Sequence, residues 1–87
     1  MLADPTRTLT PRHLEFLALY ASGHELRVIA DMKFVSYQVV QQSLADARRR
    51  VGAANLAQLC VIALEAGVIV KNGVGYKPVQ EERVVGD

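Results

Sequence analysis

Apolar and polar positions along the chain alternate with helical period in four short stretches, and the period changes near the end. Between Ser36 and Val51, the residues Val40, Leu44, Ala47 and Val51 recur at steps of four, three and four, which puts them on one face of a helix. Gln38, Gln42, Ala45 and Arg49 fall on the opposite face, flanked by Gln41 and Arg48. Ser36 is a good N-cap for this third helix, and Gly52 ends it. Ahead of it, Thr10 is read as the N-cap of a first helix, with Pro11 at a position where its missing N–H costs nothing. That helix runs to about Ser22. Leu14, Leu17, Ala18 and Ala21 face inward, Phe16 and Tyr20 lie at the edges, and Gly23 is the stop. A second helix spans roughly His24 to Met32 with Leu26, Ile29 and Ala30 as core contacts. Lys33-Phe34-Val35 turns the chain into the third helix, with Phe34 and Val35 packing inward.

The fourth helix begins at Asn55, where Gln58 three residues on makes a capping-box pattern, and runs from Leu56 through Ala66 to a stop at Gly67. It is apolar on nearly every side, whereas an outer helix of a small monomer should keep a polar face. The surplus suggests a partner, most simply a second copy meeting at Leu56, Leu59, Cys60, Ile62 and Ala63. Packing beneath the C-terminal segment is the alternative. That segment, Val68 to Lys77, alternates like a short hairpin around Asn72-Gly73. Two strands alone are marginal, so the hairpin must lie on the helices or on a partner. The expected organisation is an all-α fold with a short C-terminal hairpin or extended tail. Residues 1–8 form a loose arm, 9–69 the helical domain, and 70–87 the hairpin and a tail mobile beyond Pro78.

Composition narrows the function. At 87 residues, 51% of them apolar, the chain is one domain able to bury a core. Its apolar runs are too short and interrupted to span a bilayer, and Met1 to Pro5 has no signal-peptide pattern. A lone Cys60 has no internal disulfide partner, which fits a reducing cytosol, and on an apolar helix it reads as an inert core residue. With one cysteine and two distant histidines, His13 and His24, no metal-ligand spacing or nucleophile–base set emerges, and no Gly-rich phosphate loop is present. Both histidines read as surface residues. No enzyme, cofactor, metal, membrane or small-molecule substrate is expected.

The net charge of +1 is modest, but between Arg7 and Ala54 seven basic residues face four acidic ones, while the tail from Lys71 onward is balanced at three of each. The excess is small, so tight binding to a polyanion would need a dimer. An outward row of amides and small residues ending in guanidinium groups suits the major groove of double-stranded DNA. Gln pairs with an adenine edge, a methyl meets thymine, and Arg holds phosphate or guanine. The bland readings stay open beside this one. Gln41 and Gln42 can be a solvated face, Tyr37 can cover the helix start instead of meeting phosphate, and Arg48-Arg49-Arg50 can simply be favourable charge at a helix C-terminus. Arg50 points partly toward the core side, so Arg48 and Arg49 are the better phosphate candidates.

Leu9-Thr10-Pro11-Arg12, Gly23, Ile29-Ala30, Val35-Ser36, Val40, Gly52-Ala53, Asn55, Leu59, Ala63 and Gly67-Val68-Ile69 together resemble the LuxR-type (GerE-like) helix-turn-helix domain of bacterial transcription regulators, without a gap from Leu9 to Ile69. The resemblance implies a four-helix DNA-binding module whose third helix enters the major groove and whose fourth commonly makes the dimer. It puts base-reading positions at Gln41, Gln42 and Ala45, and backbone-contacting positions near Arg27, Ser36, Tyr37, Gln38 and Ser43. The chain departs from the family pattern at several places. His13 stands where Glu is usual, so the first capping box is expected to be lost. Lysine is usual at Gln41 and often at Gln38, and histidine is frequent at Ser43. Lys33 replaces an apolar residue and Val28 an acidic one. Without the lysines, affinity or sequence preference should differ from typical members. With only eight residues ahead of Leu9, the expectation is a stand-alone, cytoplasmic regulator of bacterial or phage origin. The alternative is a module that keeps the fold but binds RNA polymerase or another transcription regulator instead of DNA.

Overall fold

Thr10 begins the first helix as its sequence suggests, with an extended backbone and its Oγ1 accepting the His13 N–H at 3.1 Å. The computed structural model describes residues 8–79. The arm expected over residues 1–8 therefore lies outside the described residues apart from Thr8, as does the expected mobile tail beyond Val79. Helix α1 spans Pro11–Ala21, and the chain turns away at Gly23, whose φ of +105° suits glycine. Helix α2 is Leu26–Lys33 and starts after Glu25, which makes no side-chain cap bond. Helix α3, Tyr37–Val51, is capped by the Ser36 hydroxyl accepting the Val39 N–H at 3.1 Å, and it ends at a left-handed Gly52. Helix α4, Leu56–Glu65, is capped by Asn55 Oδ1 accepting the Gln58 N–H at 2.8 Å. The reciprocal bond differs by one residue from a strict capping box, because Gln58 Oε1 accepts the N–H of Ala54 rather than that of Asn55.

Two short antiparallel strands follow, β1 (Ile69–Asn72) and β2 (Gly75–Pro78), in register Ile69↔Pro78 and Asn72↔Gly75. The two-residue loop is Gly73-Val74, one residue later than the sequence pattern suggests. Gly73, with φ +65°, takes the first loop position, where a II′ hairpin places glycine. Among the described residues the architecture is thus four helices with a short two-stranded sheet. The inward stripe of α3 is fully buried, and it meets Phe16 and Leu17 of α1, Ile29 of α2, Leu59 of α4 and Ile69 of β1 in one core.

The hairpin lies on α1 rather than standing free. Ser22, at the end of α1, accepts the Tyr76 N–H on its hydroxyl oxygen at 2.7 Å and donates to the Ala18 carbonyl at 2.7 Å. The approach is close enough that a Cβ on Gly75 would sit 2.8 Å from that hydroxyl oxygen, so any side chain there would have to displace Ser22 and its hydrogen bonds. Lys33 reaches back to Glu15 of α1 at 3.5 Å.

One expectation fails at the turn between α2 and α3. Phe34 does not pack inward. It is 95% exposed and left-handed, with φ 57° and ψ 43°. The reversal requires a left-handed residue to end α2, as the bond from the Val35 N–H to the Ala30 carbonyl shows. That backbone turns the phenyl ring out, and only Val35 packs against the core. A left-handed non-glycine residue costs about 1–2 kcal/mol. Because the ring buries nothing, Phe34→Gly should leave the fold intact and raise stability by up to about 1 kcal/mol, read as a higher urea midpoint at unchanged m-value.

Candidate nucleic-acid interface

Helix α3 is held from behind by its apolar stripe and from both ends by caps, which fixes what it turns to solvent. Gln38, Gln41 and Gln42 are exposed, and no hydrogen bond among the described residues engages their amides. Ala45 and Ser43 are half-buried at the edges of this row, and Ser36 is exposed while its hydroxyl serves the helix start. Beside that start, the Arg27 guanidinium of α2 lies 4.4 Å from the centroid of the Tyr37 ring. The stack joins two of the residues expected to contact a backbone. It also orients a guanidinium whose in-plane N–H groups remain available for anions.

The arginine run divides three ways. Arg49 is exposed and only loosely paired, 3.9 Å from Asp46. Arg48, expected to contact phosphate, instead donates from Nη1 to the Ala53 and Ala54 carbonyls at 3.1 and 3.4 Å, securing the link between α3 and α4. The Ala53 and Ala54 carbonyls lie just past the helix end, and the Arg48 guanidinium supplies a donor to both. Arg50 is held away from the outward face, with Nε 2.9 Å from Asp46 and Nη1 donating to the Thr8 carbonyl at 3.1 Å.

The expected dimer residues also need correction. Leu59 and Ala63 are completely buried within the chain itself and are not available to a partner, because α4 directs them into the common core. Leu56, Cys60 and Ile62 are half-buried against the same core. The outer face of α4 is instead Ala57, Val61 and Leu64, spaced at four and three residues, with Val61 50% and Leu64 38% exposed. Burial pushes the Cys60 thiol up, away from the reactive thiolate.

His13 was expected at the surface, with the first capping box lost. The structure reverses both points. His13 is 5% exposed, and its Nδ1 accepts the Thr10 N–H at 3.0 Å, completing the box that a glutamate would otherwise close. The other ring nitrogen, Nε2, lies 3.1 Å from Asp46 Oδ2 on α3. The sequence carried part of this signal, since Thr10 and His13 have the three-residue spacing of a cap. Asp46 lies 33 positions away, and only the fold brings it near.

Among the described residues no group of three His, Cys, Asp or Glu side chains converges as a metal site would, and no helix is long and apolar enough to cross a membrane. Compared with known proteins, the chain matches no family model, and no curated protein or solved structure matches it.

Burial holds the His13 imidazole below its ordinary pKa, against the pull of Asp46 and with help from Arg50. A histidine lowered in the folded state gives its full stability above the unfolded value of 6.5, and this is lost as pH falls through the folded value. The urea midpoint of the wild type should therefore drop as pH falls from about 6.5 through the folded value, and more steeply than that of His13→Gln, which closes the cap without titrating.

Proposed function

We propose that the chain is a LuxR-type helix-turn-helix module that binds double-stranded DNA and regulates transcription, with α3 in the major groove. The observation that carries this reading is the row of solvent-facing, internally unengaged amides at Gln38, Gln41 and Gln42. They stand on a helix whose opposite face is wholly buried. Gln41, Gln42 and Ala45 are the base-facing residues. Arg27 stacked on Tyr37, together with Ser36, Gln38, Ser43 and Arg49, faces the phosphates. Two copies related by a two-fold axis would place their α3 helices about 34 Å apart, one turn of duplex. The Ala57, Val61 and Leu64 face of α4 is the apolar surface offered for that pairing.

Selection of genomic sequences by the purified protein, followed by retardation of the selected duplex at low and moderate salt, tests the reading. Binding should fall steeply with salt. Gln41→Ala and Gln42→Ala should each cost about 1–3 kcal/mol on the selected site and little on random DNA. Arg49→Ala should weaken all sequences alike and flatten the salt slope. A footprint indifferent to both glutamines would remove them from base recognition.

A second reading comes from a different class. Arg48 and Arg50 are engaged internally, which leaves the outward face of α3 with little positive charge. Exposed Val28, Met32 and Phe34 give an apolar surface beside α3. On this reading the module binds RNA polymerase or another transcription regulator and does not touch DNA. Absence of retardation even at low salt, with co-purification of a transcription protein, would favour it. The pairing surface is tested separately. Leu64→Glu or Val61→Lys should convert a dimer to a monomer in sedimentation, with the thermal midpoint nearly unchanged because both side chains are already half in water.

A further inference from the structure

His13 and its partners lie behind the outward face of α3, and nothing in the reading of that face uses them. We propose that His13 is a positioning residue for α3, and that the proton on its imidazole decides whether the main chain at Thr10, the N-cap of α1, stays joined through the ring to the middle of α3. The Thr10 main-chain N–H can only donate, so the Nδ1 atom 3.0 Å away must present its lone pair. The ring hydrogen is then on Nε2, where it is donated to Asp46 Oδ2 at 3.1 Å. The neutral ring in this one tautomer satisfies both neighbours.

An imidazolium carries hydrogen on both nitrogens. Its Nδ1–H would confront the Thr10 N–H, two donors with no acceptor between them, so one must withdraw. On the other side the same proton strengthens the attraction of the ring to Asp46. Protonation therefore breaks the Thr10 half of the junction and tightens the Asp46 half, so the ring, carried by α1, stays on α3 while the cap lets go. Among the described residues, the charged groups facing the ring come from α3. Asp46 favours the proton and Arg50 opposes it, while Arg49 reaches only Asp46 at 3.9 Å. Of the segment before α1, the described residues Thr8 to Thr10 offer main-chain groups and hydroxyls. On α1, Arg12 stacks over Phe16 and Glu15 pairs with Lys33. The disturbance is not confined to the cap. Asp46 also grips Arg50 at 2.9 Å, and Arg50 donates to the Thr8 carbonyl at 3.1 Å, so the segment from Thr8 to Thr10 is tied to α3 at two points through the same carboxylate.

That the coupling regulates DNA binding rests on the function proposed above; the coupling itself does not. Following the imidazole and backbone nitrogens of the full chain by NMR, from about pH 8 to about pH 5, tests it. The Nε2–H tautomer is expected at high pH. The amide signals of Thr10, His13 and residues 44–50 should move with the midpoint of the imidazole. In His13→Gln, whose carboxamide accepts from Thr10 and donates to Asp46 without titrating, these signals should stay flat. An Nδ1–H tautomer, α3 amides that ignore the imidazole, or equal movement in His13→Gln would each overturn the proposal. Should His13→Gln not fold, Asp46→Asn serves. Its imidazole midpoint must fall, and an unchanged or raised midpoint overturns the junction. Retention of the selected duplex should change severalfold as the wild-type ring titrates and stay flat in His13→Gln. Retention that is insensitive to pH would overturn the regulatory consequence. No retention at any pH would sink the DNA reading and leave the coupling to stand or fall on the amide signals.

Discussion

Helices of 8 to 15 residues are marginal in water on their own, and they persist here because their apolar faces share one small core. The contact on which the others depend is that of Val40, Leu44, Ala47 and Val51 with residues from all the neighbouring elements. Being buried without exception, the stripe fixes the rotation of α3 about its own axis. A rotation by one residue, about 100°, would expose apolar surface and bury an amide with no partner. The outward row is therefore a consequence of the inward one, and any ligand of α3 meets a face the core has already chosen.

Much of this was legible in the chain. The α3 stripe follows helical spacing without interruption, and Thr10, Ser36 and Asn55 are cap residues whose short side chains act on N–H groups three residues away, so both are local signals. What failed was what depends on the third dimension. An apolar sequence over Leu56 to Glu65 does not say which residues the neighbours cover, and Leu59 and Ala63 proved to be core while Val61 and Leu64 face out. Phe34 was misplaced because hydrophobicity suggested burial, whereas the turn dictated a left-handed backbone that points the ring outward. The Arg48 to Arg50 run looked like a single basic patch. Its three members serve a chain link, the solvent and a carboxylate in turn.

That division bears on how the molecule could meet a polyanion. The outward face is predominantly neutral and hydrogen-bonding, with Arg27 and Arg49 as its exposed cations. Long-range attraction is correspondingly weak, and discrimination would depend more on the fit of amides to base edges than on charge. Pairing through α4 would double both contributions, which is why the outer face of that helix matters to the reading as much as α3 does.

The junction of His13 with Asp46 limits how this chain can change. The cap at the start of α1 needs an acceptor, and a glutamate would provide one; but a glutamate carboxylate would then stand beside the carboxylate of Asp46, where His13 now places an N–H. Replacing the imidazole by an acid becomes tolerable only once Asp46 has been neutralised, and losing Asp46 first strands both the ring nitrogen and Arg50. The two positions, 33 apart in sequence, constrain each other: whatever replaces His13 must offer an acceptor to Thr10 and a donor to Asp46.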